Sequence, residues 1–545
     1  MLLLDVFLVL LLPTSAALRS SGEAALDELI APEMPRKRVA IIGAGAGGAS
    51  TAFHLSQNAK DAGIPTDITI FERSSHIGGR TTTVNAWSDP TTPIELGASI
   101  FVEVNTILHD AAKHFNLSTS SAEIPKAEGM PDLGVWNGEE FVLITSNEDG
   151  WWEKAKLLWR YGLAPIRTNS LMKSTVGKFL KMYEEPLFPW KSLSEAAEEV
   201  GLRDVTAVTG RQFLEANGIG AKFADEVIQA STRVNYASNI ALIHGLETMV
   251  CMATNGAMSI KGGNWQIFAH MLKDSATTHL NTTITKISKQ DDDTFSLTTS
   301  SGDTSTFDHV VLSAPLQFSN LEIEPAPKHT PDHIPYVKLH VTLFASPNKL
   351  DPAAFNMEPG KVVPQYVLTT LADGEDYGSS PNGVGKAGFF SISVSGSGLN
   401  PKSSPPYRPE YIYKIFSPLR IDSEFLSKIL GTKVPEHEQE DNGPVTWIYH
   451  KVYYSYPYEY PRVTFEEIKL DDKLWYTSGI ESFISTMETS ALMGKNVAKL
   501  MVNEWSEEQS DGQKEASGEL KMQDEGEWRF GSLRDEQQKP IKAKL

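Results

Sequence analysis

Only one cysteine, Cys251, occurs in the 545 residues, so no intrachain disulfide forms and chemistry through a cysteine pair is excluded. Positive charge is also scarce. Lys and Arg number 49 against 69 Asp and Glu, leaving a net charge of −20 and a pI near 5.2. A surface of that sign repels nucleic acid, and no basic array reverses it on the scale nucleic-acid binding needs. The apolar stretch Met1 to Leu12, broken by Asp5, is too short for the ~20 residues that span a bilayer. With the small residues Pro13-Thr14-Ser15-Ala16-Ala17 behind it, residues 1–17 read as a secretory signal, the alternative being an uncleaved apolar tail. A secretory-pathway, lysosomal or vacuolar location then makes the sequons at Asn116 and Asn281 glycosylation candidates. Internal repeats are absent. Apolar side chains at 41% and charged ones at 22% indicate a globular chain of two or three domains.

What is present begins with Arg38-Val39-Ala40-Ile41-Ile42, a β-branched run that predicts a buried parallel strand. Gly43, Gly45 and Gly48 follow with Ala44 in G-x-G-x-x-G spacing. The first permits the tight turn, the second lets backbone approach a pyrophosphate, and the third lets the next helix pack on the strand. A second predicted strand, Asp67 to Phe71, ends at Glu72 and Arg73. An acidic group at that position accepts hydrogen bonds from an unphosphorylated adenosine ribose; the alternative is a surface glutamate.

His76-Ile77-Gly78-Gly79-Arg80 comes next. With this block the chain resembles the glutathione-reductase-like flavoproteins that include amine oxidases, and the resemblance implies FAD. It implies further that Arg80 meets the pyrophosphate, that Arg73 and Gly79 are cofactor-binding, that Gly97-Ala98-Ser99 runs beside the flavin, and that Ile284 supplies backbone to the adenine. For Arg80 the alternative is a surface salt bridge, and for Ile284 an ordinary strand residue. Near the C-terminus, Leu-Trp-Tyr-Thr-Ser leads into Gly479-Ile480-Glu481 and a helix expected from Met487, whose N-terminal dipole would face the cofactor. Glu481 matches the acidic residue that bonds the ribityl or phosphate region, or else caps that helix.

Five further blocks narrow the resemblance to the prenylcysteine oxidases, also called prenylcysteine lyases, over about residues 38 to 500. They are Leu158 to Gly162, Lys178 to Tyr183, Arg233-Val234-Asn235-Tyr236, Gly262-Gly263-Asn264, and Gly479-Ile480-Glu481 with Met487 to Ala491. Thr477 and Ser478 depart from the pattern, as does the acidic tail. The resemblance implies oxidative cleavage of farnesyl- or geranylgeranyl-cysteine to cysteine, a prenyl aldehyde and hydrogen peroxide, with O2 as acceptor. Hydride loss from the allylic carbon beside sulfur gives a cation shared by the sulfur lone pair and the alkene, so no strong base and no triad are required. Positioning and an apolar tunnel are the expected features. Lys338 resembles the lysine that amine oxidases hold near the flavin, or is a surface lysine on a strand edge; Asn235 and Tyr236 are candidates for the pocket wall, Tyr236 being otherwise a buried Tyr with a satisfied hydroxyl. Two other functions stay open: an FAD amine oxidase or desaturase on another lipophilic substrate, and a non-catalytic prenyl-binding escort.

The expected architecture is α/β, a Rossmann-like FAD-binding domain assembled from residues 37–116, 258–320 and 473–505. A mixed α+β substrate domain takes residues 117–257 and 321–472, a linker 18–36, and a disordered charged tail 506–545. Between Lys154 and Lys181 seven basic residues and no acidic one are interleaved with Trp159, Tyr161, Leu163 and Ile166. That pattern suits peripheral contact with anionic lipid, or else an ordinary helix pair with solvated lysines.

Overall fold

The structure, a computed structural model, describes residues 35–121, 130–145, 157–375, 383–405, 407, 409–437 and 439–527, with side chains as far as residue 511. The signal, most of the linker, Trp151 to Lys156 and the last residues of the tail lie outside the described residues.

Strand Lys37–Ile42 is central to a six-stranded sheet, with Val39, Ala40 and Ile41 fully buried between layers. On one side it pairs in parallel with Thr66–Phe71, which pairs with Thr277–His279; on the other it pairs with His309–Leu312, which pairs with Leu474–Tyr476. Only the edge strand Lys469–Asp471 runs antiparallel. Pieces far apart in sequence thus form one parallel sheet, as its apolar, β-branched runs require.

The glycine turn opens helix Ala46–Asp61, and this helix lies against helix Met487–Glu527 at close range. A Cβ on Gly494 would stand 2.3 Å from the Gly47 carbonyl oxygen. The C-terminal helix runs through Glu527, so the expected disorder is corrected for residues 506–527. Glu, Gln, Lys, Met and Ala are good helix formers, and extending a helix already nucleated and anchored costs little.

Around Ser301-Gly302-Asp303, strands Phe295–Thr299 and Thr304–Phe307 form a hairpin. With Ile284–Lys289 and the short strand Glu322–Glu324 they form a four-stranded sheet. Beyond Phe307 the chain leaves this sheet: Asp308 N donates to Arg38 O at 2.8 Å, and His309–Leu312 enters the large sheet instead.

The third layer is a seven-stranded sheet ordered Trp447–Pro457, Tyr336–Ser346, Pro409–Ser417, Ser391–Leu399, Tyr366–Thr369, Leu133–Trp136, Phe141–Thr145. All pairs are antiparallel except Leu133–Trp136 with Tyr366–Thr369. Helix Gln229–Tyr236 packs on strand Tyr366–Thr369, and helix Gly245–Val250 packs on helix Ala164–Leu180. No described helix is long and apolar enough to cross a membrane.

Candidate functional site

Between the six-stranded and seven-stranded sheets lies a cavity of about 1290 Å³. It exceeds the roughly 300–1,000 Å³ of a pocket for one drug-sized ligand. At one end it meets the glycine turn. Gly43 has φ +108°, and a Cβ on Gly48 would fall 1.9 Å from the Gly43 carbonyl oxygen, so close helix packing demands the third glycine. Gly45 differs: a Cβ there would meet nothing nearer than Gly78 O and Gly79 Cα at 4.0 Å, and Gly45 lines the cavity. Its openness faces a space, as a phosphate cradle requires.

Glu72 is buried and not a surface glutamate. Its Oε2 accepts from Ala44 N at 2.9 Å, while Oε1 accepts from Ser74 N at 2.8 Å and Ser74 Oγ at 2.6 Å. The carboxylate therefore ties the end of the second strand to the turn and still borders the cavity. Arg73 lines it too, with Nη1 donating to Phe318 O at 2.9 Å.

Arg80 and Glu481 converge from opposite ends of the chain. Arg80 Nη2 pairs with Glu481 Oε1 at 2.7 Å, Arg80 Nη1 donates to Ser455 O at 2.7 Å, and Tyr336 OH donates to Glu481 Oε2 at 3.1 Å. Both charged groups line the cavity, so this is no remote surface pair. Glu481 does not cap the C-terminal helix. Thr486 does: its Oγ1 accepts from Thr489 N at 3.0 Å, and Thr489 Oγ1 accepts from Thr486 N at 3.0 Å. Met487, at the helix start, borders the cavity beside this cap.

Gly79, Gly97, Ala98, Ser99 and Ile284 also line the cavity. Ala44, Gly48 and Gly479 do not. Ala44 is fully buried behind the turn, Gly48 packs on the strand, and a Cβ on Gly479 would stand 2.9 Å from Glu466 Cβ, away from the site. Asn235 and Tyr236 are on the wall, Asn235 Nδ2 donating to Ser231 O at 2.9 Å and Tyr236 set edge-on to Tyr456 with centroids 5.1 Å apart.

Lys338 is corrected. Alternation along Tyr336–Ser346 buries Val337 and Leu339, leaves Lys338 exposed, and keeps it off the cavity. Lys261, Lys414 and Lys451 are the lysines brought into the wall, and Lys414 Nζ donates to Ser99 Oγ at 2.9 Å and to Glu95 O at 3.2 Å. For Lys414 the surroundings matter most. Burial pulls its ammonium down to about 8, with Glu95 offsetting part of the shift. Burial likewise pushes the Glu95 carboxyl up to about 7, against the Asn264 amide and the Lys414 charge. Sequence reasoning passed over both, although Ser391-Ile392-Ser393-Val394-Ser395 carried a legible signal: serines at every second position of an apolar strand mark a polar inner face.

Glu488 was also passed over as a functional group. It accepts from Ile107 N and Leu108 N at 3.0 Å each and from Tyr183 OH at 3.1 Å, and burial pushes it up to about 7. Behind the wall, Glu247 and Glu459 are fully enclosed and both raised by burial. Cys251 is a buried free thiol at the cavity, its pKa raised by burial.

The far walls are apolar, with Val176, Phe179 and Leu180 from helix Ala164–Leu180 and Val234 from helix Gln229–Tyr236. The N-terminal part of the same segment reaches solvent, where Trp159 is 91% exposed and Leu158, Leu163 and Ile166 are exposed as well. Among its basic groups, Arg160 pairs with Glu226 at 2.9 Å and Lys178 Nζ donates to Gly201 O at 3.0 Å, while Lys173 and Lys181 are exposed. Asn116 and Asn281 are both exposed at turns.

The family model described as prenylcysteine lyase matches residues 144–514, and that of the NAD(P)-binding Rossmann-like domain matches residues 41–115. Farnesylcysteine lyase of Arabidopsis thaliana is 29% identical, over 87% of this chain and 89% of its own. Prenylcysteine oxidase 1 of Bos taurus and of Homo sapiens are each 26% identical, over 87% of this chain and 90% of theirs. Cyclohexylamine oxidase from Brevibacterium oxydans aligns with 86% of this chain and 100% of its own at 14% identity and a TM-score of 0.49.

Proposed function

Since the chain belongs to the prenylcysteine lyase family, we propose that it is an FAD-dependent thioether oxidase. It converts farnesyl- or geranylgeranyl-cysteine, O2 and water into cysteine, the prenyl aldehyde and hydrogen peroxide, in the breakdown of prenylated proteins. The observation that carries this reading is the single continuous cavity joining the glycine turn, Glu72 and the Arg80–Glu481 pair to the apolar walls of Val176, Phe179, Leu180 and Val234.

The residues present fit FAD. Gly45 leaves open space for a pyrophosphate beside the start of helix Ala46–Asp61, Glu72 suits a ribose, and Arg80 brings positive charge to the same wall. The bound cofactor supplies the hydride acceptor. The chain then has to bind, orient and exclude bulk water. The thioether's allylic carbon needs no base, because sulfur and the alkene share the positive charge left by hydride departure. Water adds to that carbon, and collapse of the hemithioacetal frees cysteine and the aldehyde.

In this reading, residues 154–181 contact anionic membrane peripherally, delivering a substrate that partitions into lipid, and the protein works in the secretory pathway, lysosome or vacuole. The exposed Trp159, Leu163 and Ile166 beside Lys173 support the contact. Incubation of purified protein with farnesylcysteine should release peroxide and free cysteine in equal amounts. Amine turnover with no thioether turnover would transfer the assignment to an amine oxidase, and a protein that takes up no flavin would make it a carrier.

A further inference from the structure

One register row of the seven-stranded sheet crosses the cavity wall. Leu133 stands opposite Tyr366, Tyr366 opposite Ser393, and Ser393 opposite Lys414. All four line the cavity. Paired positions on neighbouring strands project from the same face, so over three strand spacings, roughly 14 Å, the wall changes character in one direction. It starts at Leu133, which like Val234 and Leu143 packs against the buried Val135, Ala230 and Leu368, and passes a phenol and a hydroxyl. It ends at an ammonium.

That ammonium is incomplete. Lys414 has three N–H donors, and the two that are placed meet the neutral oxygens Ser99 Oγ and Glu95 O. Among the described residues Lys414 has no ion-pair partner. Glu95, its acidic neighbour, holds Asn264 N at 2.7 Å through Oε1 and keeps Oε2 buried without a partner. On the other side Lys414 stands over the Phe416 ring, 5.6 Å from its centroid. A cation in a cavity wall without a counter-ion is costly, and a ligand carboxylate placed against it recovers that cost.

We propose that Lys414, with Ser393 and Tyr366 beside it in the row, is the subsite for the carboxylate of the substrate's amino-acid end, the hydrocarbon lying toward Leu133 and Val234. The subsite rests on the prenylcysteine reading and deepens it. It gives the elongated substrate one direction in the cavity: charged end at the Pro409–Ser417 strand, prenyl end at the helices.

The test compares farnesylcysteine with its methyl ester on the flavin-loaded full chain, by kcat/KM and by anaerobic titration of the flavin absorbance. Wild type should prefer the acid by about 10- to 100-fold, the scale of one charge-assisted hydrogen bond. Lys414→Met should bring the acid-to-ester ratio close to 1, and Lys414→Arg should restore most of it. Ser393→Ala and Tyr366→Phe, which keep the lysine, should each lower the ratio by a smaller factor. Equal use of acid and ester by wild type overturns the subsite alone. So does a Lys414→Met variant that weakens both compounds equally or that loses flavin instead, since either places the lysine with the cofactor. Wild type that turns over neither compound overturns the prenylcysteine reading, and the subsite with it.

Discussion

Removing the Glu72 carboxylate strips hydrogen bonds from Ala44 N, Ser74 N and Ser74 Oγ at once, and deletes the acidic group at the glycine-turn end of the cavity. Hydrogen bonds to a charged group contribute about 1.5–3 kcal/mol. Glu72→Ala should therefore bind flavin about 10- to 100-fold more weakly, read as the ratio of visible flavin to protein absorbance after dialysis. Normal flavin retention would remove Glu72 from the cofactor site. Arg80 and Glu481 behave as a coupled pair: Glu481→Gln leaves Arg80 without its counter-ion, and the double variant with Arg80→Met should lose less flavin affinity than the two single losses combined. Glu72 was legible as a candidate because the spacing around the glycine turn singles it out. Lys414 was not, because its partners Ser99 and Glu95 are more than three hundred positions away along the chain. Lys338 looked equivalent in sequence, and only the alternation of its strand turned it outward.

Helix Ala164–Leu180 and the residues leading into it serve two surroundings. Thr168, Met172, Thr175 and Phe179 are buried, as an amphipathic helix packed on a core requires, yet Leu163 and Ile166 join Trp159 in solvent. The ordinary helix pair accounts for the first set and leaves the second unexplained. Trp159→Ser with Ile166→Ser should reduce sedimentation with vesicles containing anionic lipid, and so should Lys173→Glu, Lys178→Glu, Lys181→Glu. Equal, negligible sedimentation of wild type and variants would end the membrane reading. The helix pair Ala46–Asp61 and Met487–Glu527 makes a second element-scale prediction. At Gly494 any Cβ meets the Gly47 carbonyl oxygen, a backbone atom that no rotamer moves aside, so Gly494→Val should lower the melting temperature through about 1–3 kcal/mol of overpacking or more.

Across the whole molecule, buried titratable groups set a pH dependence whose sign can be worked out. Glu95 and Glu488 are raised to about 7 from 4.5, and Glu247 and Glu459 are raised as well, so between these values the folded state holds protons the unfolded state has released. Stability from these groups falls as pH rises toward 7 and above. His54 and His309 are lowered to about 3 and His244 to about 4 from 6.5, which opposes the carboxyl effect only below pH 6.5. The melting temperature should thus change little from about pH 5 to 6.5 and decline from there to pH 8; a rise over that upper interval would contradict the burial of these carboxyls. Flavin should raise the melting temperature in proportion to the logarithm of its free concentration, as a ligand of the folded state alone does. The sequence by itself determined the parallel strands, the glycine turn and the start of the C-terminal helix at Met487, because strand burial, tight turning and helix initiation are decided by residues a few positions apart. Tertiary structure alone decided the Arg80–Glu481 pair, the Thr486 cap that frees Glu481 for the cavity, and the Leu133–Tyr366–Ser393–Lys414 row. Those depend on strand register and on which sheet face turns inward, and both are settled only when distant segments bury their apolar sides against one another.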